Sequence, residues 1–180
     1  MTIIQHIKRF FCRIFGIQEK VRKQEPAKKI QFPNAEFLPK VVELLNKGHT
    51  VTIQLRGFSM RPFLEDNRDK ALLKKPTEPK VGDPVLAEIE PKHFVLHRII
   101  RIDGKAVTLL GDGNLCCEHC QLENVVGAVV GFYRKDRKKL DRTDGWKWRT
   151  YSWLWMHLRP IRRYLLAAYR RIWLPLFGPI

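Results

Sequence analysis

Six short apolar, largely β-branched runs at 50–55, 70–74, 84–90, 93–102, 106–110 and 125–134 are separated by Gly, Pro and Asp turns. Runs of five to ten residues at this spacing leave little room for long helices and predict a compact, barrel-like, mainly β domain. A helix over 35–46 is expected to lead into it. Asn34 can cap that helix, Phe37, Leu38, Val41, Val42, Leu44 and Leu45 form its apolar side, and Gly48 stops it.

The first strand ends in Gly57-Phe58-Ser59-Met60-Arg61-Pro62. Gly and Pro around a serine make a turn that exposes the hydroxyl behind a rigid strand, as a nucleophile requires; a plain turn-forming serine has the same look. Two later segments favour chemistry. Phe94-Val95-Leu96-His97-Arg98-Ile99-Ile100 is a strand with one imidazole, 38 residues after Ser59, and Leu109-Leu110-Gly111-Asp112-Gly113-Asn114 is a strand running into a turn. Ser59, His97 and Asp112 are the types needed for nucleophile, general base and a carboxylate that orients the base.

Gly57–Pro62, Val81-Gly82-Asp83-Pro84-Val85, His97-Arg98-Ile99 and Gly111-Asp112-Gly113-Asn114 resemble, in order and spacing, the boxes of type I signal peptidases and the wider LexA-like serine peptidases, over about residues 50–134. The resemblance implies a signal-peptidase/LexA-like coiled β fold, here with flanking amphipathic helices, and a serine endopeptidase that cuts signal- or leader-like segments. His97 stands where bacterial members carry a lysine, so the chain resembles the His-type branch of archaeal and endoplasmic-reticulum enzymes. Asp112 matches the family's last carboxylate, and Glu118 is the one nearby candidate for the second acid of that branch. Gly57, Phe58, Met60 and Pro62 are expected to shape the turn, the substrate wall and the oxyanion site, with the Ser59 amide as donor. Asp83 is expected to be a structural turn residue. His93, four positions before His97, is the competing imidazole. Resemblance to a LexA-like repressor ends at the core, because no Ala-Gly or Cys-Gly self-cleavage pair precedes Ser59.

The ends are different in character. Lys and Arg number 34 against 18 Asp and Glu, a net charge of +16, with most of the excess in 8–29 and 134–171. That balance calls for an anionic partner. Ile3, Ile7, Phe10, Ile14 and Ile17 recur at helical spacing among basic residues, which predicts an amphipathic helix over 2–18, lying in a membrane interface or packed on the domain itself. Residues 19–32 read as a linker. All five tryptophans fall between Trp146 and Trp173, interleaved with arginines and divided by Pro160 and Pro175. This tail reads as short helices at a membrane surface; a protein groove or single-stranded nucleic acid stacked on tryptophan are the alternatives, nucleic acid being disfavoured. The expected organisation is therefore 1–32 helix and linker, 33–140 catalytic β domain and 141–180 helical tail.

No run of about 20 apolar residues occurs, so no transmembrane helix is expected, nor a secretory signal. Attachment is expected to be peripheral, on the cytoplasmic side, where Cys116, Cys117 and Cys120 would form a reduced, solvent-facing loop. Metal binding by those cysteines is the lesser alternative, since the spacing lacks paired C-x-x-C. No cofactor is expected. The partners are a peptide or preprotein substrate and an anionic membrane; the competing reading is a non-enzymatic, membrane-associated scaffold with a peptidase-like core.

Overall fold

The computed structural model describes residues 34–135 and 137–180. The helix expected over 2–18 and its linker lie outside the described residues. Contacts divide the chain between Gln31 and Phe32, and every element named below belongs to the unit Phe32–Ile180.

Helix α1 (Asn34–Asn46) covers the predicted stretch, and Gly48 comes after it at φ 85°. Leu38, Val41 and Leu45 are its buried stripe, at the i, i+3, i+7 spacing that one face requires. Burying each contributes about 1.5–3 kcal/mol. Eight strands come next: β1 (Val51–Gln54), β2 (Lys70–Lys74), β3 (Pro84–Glu90), β4 (His93–Asp103), β5 (Ala106–Leu110), β6 (Glu118–Gln121), β7 (Val125–Tyr133) and β8 (Leu140–Arg142). All pairings are antiparallel, in the order β1-β2-β7-β3-β4-β5-β6, with β8 also on β7. The mainly β architecture expected from the sequence is the one the chain adopts, and its sheet is antiparallel.

Two of these strands have no counterpart in the expected set. β6 falls where a cysteine-bearing loop is expected, and β8 is three residues long. Register shifts at Leu72/Leu73, Leu86/Ala87, Glu88/Glu90 and Ile99/Arg101 interrupt the ladders. Such bulges increase local twist, and apolar side chains are buried on both faces of the sheet. β3 shows why: Leu86 joins a core with Leu45, Leu73, Phe132 and Trp148, while Val85 and Ala87 point the other way into a core with Ile99, Val107 and Leu109.

The segment after β8 packs as part of the same unit. Helix α2 (Trp146–His157) buries Trp148, Ser152 and Trp155; a 3-10 turn at Arg159–Ile161, carrying Pro160, separates it from α3 (Arg162–Ala168). A π-helical turn at Tyr169–Trp173 and a last helical turn, Leu174–Phe177, complete it, Pro175 sitting in a first turn where no amide donor is needed. The tryptophans thus have two fates. Trp148 and Trp155 are core, whereas Trp146, Trp153 and Trp173 are exposed.

Candidate active site

Ser59 lies in the turn after β1. Gly57 opens that turn at φ 86°, a region that favours glycine, and its N–H donates to Asp66 Oδ1 at 2.7 Å. Among the described residues neither the Ser59 N–H nor its hydroxyl has a hydrogen-bond partner. The amide is therefore free to serve as an oxyanion donor. The Ser59 carbonyl is held, accepting from Gly113 N at 2.8 Å.

His97 sits on β4 opposite Val85, 3% exposed. Its Nδ1 is 2.6 Å from Glu118 Oε2, the first residue of β6. Neither atom has a hydrogen-bond partner among the described residues, so this close approach is an ion-pair contact and not a formed hydrogen bond. Burial pushes the imidazole below its ordinary value, and the Glu118 and Asp112 charges offset this only in part. His97 is thereby held neutral near pH 7, the state a general base needs.

Ser59, His97 and Glu118 line one cleft of about 310 Å³, together with Gly57, Met60, Asn114 and an apolar wall that includes Ile53, Leu55, Leu86, Phe94 and Leu96. Ser59 and His97 also meet at Gly111. A Cβ placed there would lie 2.5 Å from the Ser59 carbonyl oxygen and 3.0 Å from His97 Nε2, so only glycine lets the serine turn and the imidazole close around this loop. Gly113 is similarly confined, 2.8 Å from the Phe58 carbonyl by the same measure.

Asp112, expected to orient His97, makes no hydrogen bond to it among the described residues. Its carboxylate is committed elsewhere: Arg98 Nε donates to Oδ1 at 2.9 Å, Arg98 Nη2 to Oδ2 at 2.7 Å, and the Tyr151 hydroxyl to Oδ2 at 2.9 Å. Arg98 also donates from Nη1 to the Gly82 carbonyl and to Ser152 Oγ, which leaves none of its nitrogens unpaired in the interior. Burial works against the Arg98 charge, but Asp112 outweighs it and raises the guanidinium further. Asp112 is an anchor for the loop, and the carboxylate at the imidazole is Glu118.

The remaining predicted residues separate cleanly. Met60 is a buried part of the cleft wall, whereas Phe58 is exposed under the Arg61 guanidinium and Pro62 is buried; neither lines the cleft. Asp83 is a turn residue, its Oδ2 accepting from Lys80 N and its carbonyl from Ile99 N. His93 is exposed at the start of β4, 3.7 Å from Glu90, and does not reach the cleft. Cys116 and Cys117 are exposed and Cys120 faces Val107 across β5–β6; among the described residues no three Cys, His, Asp or Glu converge as a metal site. Sequence reasoning missed Arg98, Tyr151, Trp155 and Arg170 as parts of the site's support. Only Arg98 carried a signal, lying within the His97-Arg98-Ile99 box.

No helix among the described residues is long and apolar enough to cross a membrane. No protein-family model matches the chain, and no curated protein sequence does.

Proposed function

We propose that the chain is a serine endopeptidase of the signal-peptidase-like, His-type class, working at a membrane surface on signal- or leader-like peptide segments. The observation that carries this reading is the buried His97, backed at 2.6 Å by Glu118 and sharing a cleft with an unpartnered Ser59. In the reaction His97 Nε2 takes the Ser59 hydroxyl proton as the oxygen attacks the scissile carbonyl. The oxyanion forms against the Ser59 N–H, and Glu118 stabilises the imidazolium and fixes its tautomer. The imidazolium then gives its proton to the leaving amine, and water, deprotonated by the same ring, releases the acyl group. An extended peptide suits the apolar cleft beside β1, which ends one side of the strand order.

Attachment to an anionic membrane is supported by the outer side of the C-terminal helices. Trp153, Ile161, Tyr164, Ile172, Trp173, Leu176 and Phe177 are exposed, as are Arg159, Arg163 and Arg171, an apolar-and-basic set suited to a lipid interface. The proposed location is peripheral, on the cytoplasmic side.

The test is cleavage of leader-like peptides, monitored by mass spectrometry with anionic vesicles present, by wild type, Ser59→Ala and His97→Ala. Cleavage abolished in both variants is expected. A wild type that cleaves nothing and resists serine-directed labelling while still binding vesicles would replace this reading with the scaffold one.

A further inference from the structure

The C-terminal helices reach the candidate site from behind the cleft. From α2, Tyr151 donates its hydroxyl to the Asp112 carboxylate at 2.9 Å and Trp155 donates Nε1 to the Asp112 carbonyl at 3.1 Å. From the π-helical turn, Arg170 Nη2 donates to the Gly113 carbonyl at 2.9 Å. None of the three lines the cleft. Their targets are two adjacent residues of the loop that touches both reacting groups, for Gly113 N donates to the Ser59 carbonyl and Gly111 closes against Ser59 and His97.

The loop lies between β5 and β6 and has no strand ladder of its own across 111–114. Asp112 and Gly113 are fixed by side chains that lie 39 to 57 residues further along the chain. Burial, with the Asp112 charge adding to it, holds the Tyr151 phenol well above its ordinary value, so it stays a donor throughout the working pH range. A nucleophile and base must be held within about 1 Å of their productive placement, and slack of that size costs on the order of 100-fold in rate. A loop whose Asp112 and Gly113 carbonyls were left free would not supply that stiffness.

We propose that the segment from α2 to the π-helical turn is a positioning element of the active site: Tyr151, Trp155 and Arg170 act through Asp112 and Gly113 to hold the Ser59 turn against His97. This rests on the peptidase reading. It gives the Trp- and Arg-rich tail a second role, with one side turned to the site and the other to solvent.

The experiment compares full-length wild type, Ser59→Ala, Tyr151→Phe, Arg170→Gln and Arg170→Lys. Read out are the rate of Ser59 labelling by a fluorophosphonate, kcat and KM on a cleaved peptide, the pH profile, and the urea midpoint. Tyr151→Phe and Arg170→Gln are expected to slow labelling and kcat by roughly 10- to 100-fold, with KM within about twofold and the acid limb of the pH profile unmoved. Arg170→Lys should restore part of the rate, because one donor can still reach the Gly113 carbonyl. Arg170 is exposed, so Arg170→Gln carries the test even where Tyr151→Phe fails to fold. Folded variants with wild-type labelling and kcat would overturn the positioning role alone. Labelling absent in wild type, or persisting in Ser59→Ala, would overturn the peptidase reading and this inference with it.

Discussion

Exchanging Glu118→Gln and Asp112→Asn separates the carboxylate that the sequence assigns to His97, Asp112, from the one that lies 2.6 Å from its Nδ1, Glu118. During acyl transfer His97 becomes an imidazolium facing Glu118, with Nδ1 and Oε2 2.6 Å apart. Two unit charges centred about 4 Å apart attract by about 4 kcal/mol at an effective dielectric of 20. The Glu118 side chain is 31% exposed, so water screens part of that. A loss of about 2–4 kcal/mol, or roughly 30- to 1,000-fold in kcat/KM, is expected for Glu118→Gln. Because Glu118 also holds the imidazole's pKa up, the acid limb of its pH–rate profile should move to lower pH. Asp112→Asn breaks the Arg98 pair, in which both side chains are 1% exposed, and should cost roughly 3–5 kcal/mol of stability. The assay is peptide cleavage across pH 5 to 9 beside urea unfolding. Glu118→Gln with wild-type kcat/KM, or a stable Asp112→Asn whose acid limb moves to lower pH instead, would refute the assignment of Glu118 as the partner of His97.

His97 is buried below its ordinary pKa, so the unfolded chain binds its proton more readily. The stability this contributes is complete above about pH 6.5 and declines as pH falls towards the folded value, a decline that urea midpoints should show in wild type and not in His97→Gln. Gly111→Ala must displace a main-chain oxygen 2.5 Å away, so kcat should drop at least tenfold; a folded variant with full activity would show that the loop has slack. Replacing the exposed Trp153 and Phe177 by Ser should weaken binding to anionic vesicles about tenfold each in sedimentation, while turnover of a soluble peptide stays unchanged.

Most strands could be read from the chain because their signals are local. β2, β3 and β5 match the expected ranges, and β1, β4 and β7 differ by a residue or so at their ends. β6 was hidden because Glu118-His119-Cys120-Gln121 is a polar edge strand with no apolar alternation, half-buried only at Glu118 and Cys120. In the candidate site, Ser59 and His97 announce themselves through turn chemistry and a lone imidazole in an apolar strand. The roles of Asp112 and Glu118 could not be divided that way. Asp112 is taken by Arg98, Tyr151 and Trp155, at separations of 14, 39 and 43 residues, and no local pattern encodes those meetings. The tail is ambiguous in sequence for a related reason: tryptophan between arginines looks the same whether it meets lipid or, as Trp148 and Trp155 do, closes a core.

The placement of Glu118 on β6 has a kinetic consequence. Ser59 and His97 are fastened to β1 and to the interior strand β4, but the acid rides on the terminal strand of the order, paired only with β5 through four residues. Such a strand opens at a lower free energy than the sheet it borders. In rising urea, turnover should therefore fail before near-ultraviolet ellipticity does, and amide protons of 118–121 should exchange faster than those of β4. Substitutions that only tighten the β5–β6 ladder, such as a branched residue at the exposed His119, would widen the range over which the proposed activity survives without touching a reacting group.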